Sequence, residues 1–157
     1  MHSLPVAPGR AYALLQDPLM LAKCMPGCEA LERIGEDVYH MKMKMVLASM
    51  SGLFDGTVKI AEANPPVSFR LVVEGAGKIG FMKGDGLLTL TVADNATNVQ
   101  YEGDVQVGGT IAAVGQRLVV TTARMITRRF FERLYGEAVN GAGPGTASEA
   151  AEYGGVL

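Results

Sequence analysis

The chain divides by the period of its apolar positions. From residue 28 to residue 107 they alternate, and from residue 111 to residue 135 they recur at three- and four-residue spacing. Alternation marks strands with one buried face, and the longer period marks an amphipathic helix. The spacing predicts strands over Glu29–Arg33, Val38–Leu47, Phe54–Ile60, Val67–Glu74, Met82–Val92 and Val99–Val107. The clearest is the second, with Tyr39, Met41, Met43 and Met45 on one side and His40, Lys42 and Lys44 on the other. Phe54, Gly56, Val58 and Ile60 form the inward set of the next, followed by Val67, Phe69, Leu71 and Val73. Met82, Gly84, Gly86, Leu88 and Leu90 then face inward, as do Val99, Tyr101, Gly103, Val105 and Val107.

The helix predicted over Ile111–Tyr135 would be roughly 37 Å long. Its apolar stripe carries Ile111, Val114, Leu118, Met125, Ile126 and Phe130, with Gly115 and Thr122 on the same side. Val107-Gly108-Gly109-Thr110 is read as its start and Gly136 as its stop. Earlier, Pro8-Gly9 opens a short helix over Arg10–Leu15. Asp17 then caps a second over Leu19–Cys24, and Met25-Pro26-Gly27 ends it. Ser3–Val6 reads as the end of a first strand.

Short links between strands imply an antiparallel meander, whose apolar face needs a cover. The long helix is the one element able to supply it. The expected class is therefore α+β, a curved antiparallel sheet wrapped around a long C-terminal helix, with two short helices after the first strand. One domain is expected over residues 1–136, and a flexible Gly- and Ala-rich tail over 137–157.

Volume at the inward positions changes this picture. Gly56, Gly84, Gly86 and Gly103 stand where a core strand would carry Val or Leu, and Gly115 and Thr122 interrupt the helix stripe. Interiors are otherwise packed to crystal-like density, so the missing side chains imply close backbone approach or space. Beside the adaptable side chains of Met41, Met43, Met45 and Met82, they point to an apolar cavity. Its expected lining is Tyr39, Met41, Met43, Met45, Phe54, Gly56, Phe69, Leu71, Met82, Gly84, Gly86, Leu88, Tyr101, Gly103, Ile111, Gly115, Leu118 and Thr122. Tyr39, Tyr101 and Thr122 are the polar groups in reach, and Gly115 is expected to face Gly84 and Gly86.

Composition narrows the function further. The net charge of −2 gives no bulk electrostatic case for nucleic acid. No apolar run is long enough to span a bilayer. Cys24 and Cys28 are the two cysteines, which fits a reducing cytoplasm better than a disulfide scaffold. Their C-x3-C spacing, with only His2 and His40 to complete a ligand set, argues against zinc. Gly75-Ala76-Gly77-Lys78-Ile79-Gly80 matches GxGxxG, but the pattern after it is a strand, so no helix N-terminus awaits a phosphate. It reads instead as a glycine-rich hairpin at the cavity rim. No nucleophile–base pair or inward carboxylate pair is visible, so no enzyme is expected. Arg124, Arg128, Arg129 and Arg133 cluster in the predicted last turns of the long helix. They either complement its negative end or dock an acidic partner or anionic lipid.

The residues also carry a resemblance. Leu15, Asp17-Pro18, Leu21, Cys24, Pro26-Gly27-Cys28-Glu29 and Leu31 are followed by Gly52, Phe54 and Gly56, then Pro65-Pro66 and Gly80-Phe81. Val107-Gly108-Gly109, Ile111-Ala112, Gly115, Arg117-Leu118 and Phe130-Phe131 complete the pattern. In these, from about residue 4 to 135, the chain resembles the carbon monoxide dehydrogenase G-subunit family of the START-like, helix-grip superfamily. The resemblance implies the same fold and a role as accessory to a molybdenum-type dehydrogenase. It also implies peripheral association with the cytoplasmic membrane face and a bound quinone- or lipid-like molecule, with no covalent cofactor. Relatives begin with a full first strand, whereas Met1 falls near its end, so either part of a sheet edge is expected to lack a partner or the native start lies upstream of Met1.

Overall fold

The computed structural model describes residues 2–47 and 50–141. Strand β1 (His2–Leu4) leads into helices α1 (Pro8–Gln16) and α2 (Pro18–Cys24). Six strands follow: β2 (Cys28–Gly35), β3 (Val38–Leu47), β4 (Met50–Asn64), β5 (Ser68–Gly77), β6 (Gly80–Ala93) and β7 (Ala96–Gly108). A 3-10 helix over Gly109–Val114 then turns the chain into α3 (Gln116–Gly141). The strands form one antiparallel sheet in the order β1-β7-β6-β5-β4-β3-β2. This is the helix-grip arrangement expected.

Local chemistry sets the element ends. Asp17 caps α2 by accepting the Leu19 N–H on Oδ1 at 2.9 Å, and Pro18 occupies the first helical turn, where no N–H is needed. The glycine-rich stretch 75–80 is a tight hairpin tip. Gly77 pairs with Gly80 and only Lys78 and Ile79 turn the hairpin, because β5 and β6 continue their pairing to the tip.

The long helix differs from its prediction at both ends. Gly115 takes φ +92, a positive value open to glycine, and separates the 3-10 turn from α3. The helix therefore begins at Gln116 rather than Ile111. It also passes through Gly136 to Gly141, because Leu134 and Ala138 on the same stripe are fully buried and their packing outweighs one glycine. Arg124, Arg128, Arg129 and Arg133 consequently lie before the last turn, which contains no basic residue. Complementing the helix end is thus not their role. Residues 142–157 of the expected tail lie outside the described residues.

The main core sits at the C-terminal half of α3. Phe130, Phe131, Leu134 and Ala138 pack with Leu4, Ala11, Tyr12, Leu15, Leu21 and Phe69 in one buried cluster. Phe130 and Phe131 meet edge-on at 5.3 Å, as do Tyr12 and Phe69 at 5.4 Å. Two side chains tie the first connection to the sheet: the Tyr12 hydroxyl donates to the Ser68 carbonyl at 3.0 Å, and the buried Thr97 hydroxyl to the Val6 carbonyl at 2.7 Å. A second, smaller cluster at the other end joins Met45, Phe54 and Ile111.

Two outcomes follow from this packing. Leu134→Ala empties a fully buried site and is expected to lower unfolding free energy by about 2–5 kcal/mol, read from urea denaturation. Cys24 is buried in the main core, and burial pushes its thiol up to about 11, Glu137 adding to the shift. Cys28 is only half-buried. Iodoacetamide at pH 8 should therefore modify Cys28 roughly ten-fold faster than Cys24, since the thiolate is the reacting form; peptide mapping over time checks the order.

Candidate functional site

The two core clusters do not merge, and a cavity of about 180 Å³ lies between them. Its floor is the concave face of the sheet and its roof the N-terminal half of α3. Met41, Met43 and Met45 come from β3, Leu71 from β5, and Met82, Gly84 and Gly86 from β6. Tyr101 comes from β7, Ile111 from the 3-10 turn and Thr122 from α3. Each of these was named from the sequence, and the fold brings them together here.

The other eight residues named with them do not reach the cavity. Tyr39, Phe69 and Leu88 are buried in the main core, and Phe54 in the smaller one. A Cβ on Gly56 would strike the Glu74 carbonyl oxygen, and one on Gly103 the Asp85 carbonyl oxygen. At these two positions the neighbouring strand's backbone approaches closely enough to fill the expected space. Gly115 serves the junction, is exposed and is absent from the cavity wall that Gly84 and Gly86 help form, so it does not face them. Leu118 packs against the smaller core instead.

Gly84 and Gly86 show the two fates of an inward glycine. A Cβ on Gly86 would strike the Tyr101 ring, so the ring occupies that space. A methyl group at Gly84 would meet Val105 Cγ2 first, at an ordinary contact distance of 3.7 Å. Of the strand glycines predicted to leave space, Gly84 is the one whose missing side chain stays unfilled.

Several lining residues were not anticipated. Val58, Val73, Val105 and Val107 already stood on the inward alternation, and Ile126 on the helix stripe, so their signal was present. Leu21, Met25 and Leu31 reach the cavity because α2 packs against both α3 and β2. Val119, Ala123 and Thr127 stand beside Thr122 and Ile126 on the same face of α3. Asp85 also touches the cavity, but its carboxylate is held at 2.6 Å by Arg70 Nη1 on the outer face.

The chemistry of the walls is apolar with two free hydroxyls. Thr127 donates to the Ala123 carbonyl at 2.9 Å. The hydroxyls of Thr122 and Tyr101 have no hydrogen-bond partner among the described residues. Thr122 is 8% exposed and Tyr101 43%, so one hydroxyl lies deep and the other at the mouth. Burial, with Asp104 and Asp85 adding to it, raises the Tyr101 phenol above its ordinary value and keeps it a neutral donor. His40 points to the outer face and meets Asp55 Oδ1 at 3.1 Å. No group of three metal-ligating side chains occurs among the described residues. Arg124, Arg128, Arg129 and Arg133 lie on α3 and form no ion pair among the described residues. None of the described helices is long and apolar enough to cross a membrane.

Similarity to known proteins agrees with this geometry. A conserved protein from Geobacillus kaustophilus is 32% identical, with a TM-score of 0.83 over 88% of this chain and 91% of that one. The Zhui aromatase/cyclase of Streptomyces sp. R1128 is 12% identical, with a TM-score of 0.63 over 90% of this chain and 92% of its own. TTHA0849 from Thermus thermophilus is 14% identical, with a TM-score of 0.64 over 88% and 93%. The last two share the fold alone. No curated protein matches the chain. The family model described as the G subunit of carbon monoxide dehydrogenase (CoxG) matches residues 3–139, and the chain therefore belongs to that family.

Proposed function

We propose that the protein is a non-enzymatic carrier. It holds one apolar, ring-bearing molecule of the quinone or lipid kind between α3 and the sheet, in support of a molybdenum-type carbon monoxide dehydrogenase at the cytoplasmic membrane face. The observation that carries this reading is the wall itself: five methionines and a ring of aliphatic side chains, broken by two hydroxyls that lack a partner. Ligand sites are apolar with a few placed polar groups, and an oxygen-bearing ring satisfies both features at once.

Volume limits what lies inside. An engineered cavity of about 150 Å³ takes a benzene ring, so about 180 Å³ accommodates a ring headgroup and not a whole isoprenoid or acyl chain. The remainder of such a molecule would leave past Tyr101, and the flexible methionines can widen the site. Support for a carrier rather than a catalyst comes from the lining. Asp85 is committed to Arg70, and no histidine reaches the cavity. The dehydrogenase link draws on the family membership, and Arg124, Arg128, Arg129 and Arg133, which form no ion pair among the described residues, offer charge for docking an acidic partner or anionic headgroups.

Native mass spectrometry tests the reading. The protein isolated from its host, or incubated with menaquinone, should carry one added molecule. Gly84→Leu fills the open position and should reduce uptake at least about ten-fold while changing unfolding free energy by no more than about 1–3 kcal/mol. No bound molecule and no uptake would instead leave a ligand-free assembly subunit, and unchanged uptake by the variant would remove the ligand from this cavity.

A further inference from the structure

The strand alternation that turns Met43, Met45 and Met82 toward the cavity turns another set outward at the same end of the sheet. Val46, Leu53 and Phe81 belong to it and are 58%, 52% and 48% exposed. Leu53 stands directly opposite Lys44, and Phe81 opposite both Ala76 and Gly108. A Cβ on Gly108 would strike the Phe81 ring, so the missing side chain there gives the ring its place. Neither core cluster includes any of the three. Single exposed apolar residues are ordinary, whereas three at one end of an otherwise solvated face are a surface with a use.

Charge gathers around them. Lys42 and Lys44 precede Val46 on β3, Lys78 turns the β5–β6 hairpin, and Lys83 follows Phe81 on β6. These are four of the chain's six lysines. All four are exposed and form no ion pair among the described residues. Two carboxylates share this end: Asp55, 3.1 Å from His40 Nε2, and Glu74, in register with Lys83. Four cations against two anions leave the end positive, in a chain whose net charge is −2. The turns at the far end of the sheet hold Glu36, Asp37 and Asp94 instead.

We propose that this end of the sheet, with Val46, Leu53 and Phe81 set among Lys44, Lys78 and Lys83, is the surface that rests on a membrane of anionic lipid. The apolar side chains enter the headgroup layer, and the lysine stems lie along it while their ammonium groups reach the phosphates. Each lysine adds to an attraction that salt screens. A protein surface fits less well, because the centres of protein contacts are depleted in lysine. The inference rests on the membrane-face part of the proposed function and gives it a location, and it does not require a filled cavity. It assigns headgroup contact to the sheet and leaves the α3 arginines to an acidic partner.

The chain contains no tryptophan, so Phe81→Trp in the full chain introduces a single reporter. Its emission should move to the blue, and brominated lipid should quench it, when vesicles of mixed phosphatidylglycerol and phosphatidylcholine are added. Val92→Trp, exposed at the far end of β6, should show neither effect. In sedimentation at low salt the unmodified chain should bind the mixed vesicles at least about ten-fold more tightly than pure phosphatidylcholine. K44E/K78E should remove that preference. An equal response at Val92, or a preference that survives K44E/K78E, would overturn the proposal. So would capture by polyglutamate without vesicle binding, which would make this end a protein-docking surface. Loss of vesicle binding in R128E/R129E alone would move the contact to α3, contradicting this inference while keeping the membrane-face reading. No binding to either vesicle would remove both. Menaquinone uptake in vesicle-free solution reports separately on the carrier.

Discussion

Everything distinctive here depends on α3 being held at both ends, by a large core at one and a small one at the other. Phe130, Phe131, Leu134 and Ala138 are buried against the first connection and the near end of the sheet. Burying a large apolar side chain is worth about 1.5–3 kcal/mol, so this half of the helix is fixed by several such contributions together. Beyond Thr127 toward the N-terminus the sheet curves away, and the helix is held by the Gly115 junction and the small cluster around Ile111. A rigid helix pinned at two ends cannot sag to fill the gap between them. The gap is consequently kept open by the fold, and its walls are whatever side chains the strands and helix present there.

The same constraint explains why so much of the fold could be read from residues and so much of the site could not. Alternation in β3 through β7 reports which side faces the helix, and it does so position by position, because a strand's side chains have no other choice. That is why Met41, Met43, Met45 and Met82 stand on the helix side of the sheet. Whether an inward position meets a core or a void is a property of curvature. Gly56 and Gly103 look like space in the sequence and are closed by neighbouring backbone. Gly84 looks identical and is open. The difference arises from how far each pair of strands coils, which no single strand encodes.

The helix offers a parallel lesson. Gly115 and Gly136 are both punctuation in the sequence, yet one breaks the element and the other is overrun. Gly115 sits at a change of direction, where a residue of positive φ is required to carry the chain from β7 over the sheet. Gly136 lies between Leu134 and Ala138, and their burial carries the helix past it. The helix face toward the cavity is broader than the predicted stripe and includes Val119 and Ala123, while Leu118 packs against the smaller core. Arg124, Arg128, Arg129 and Arg133 stand on α3 before its last turn and form no ion pair among the described residues.

A cavity kept open, apolar, of ring size and furnished with two free hydroxyls is the central claim. The most direct measurement is a methyl NMR titration of the protein, labelled at its methionine methyl groups, with a tail-less naphthoquinone. Met25, Met41, Met43, Met45 and Met82 line the cavity, and their signals should shift together on a single binding curve. Met20 and Met50 pack elsewhere against the two cores and should stay in place. Absence of any shift, or shifts confined to Met20 and Met50, would contradict the account.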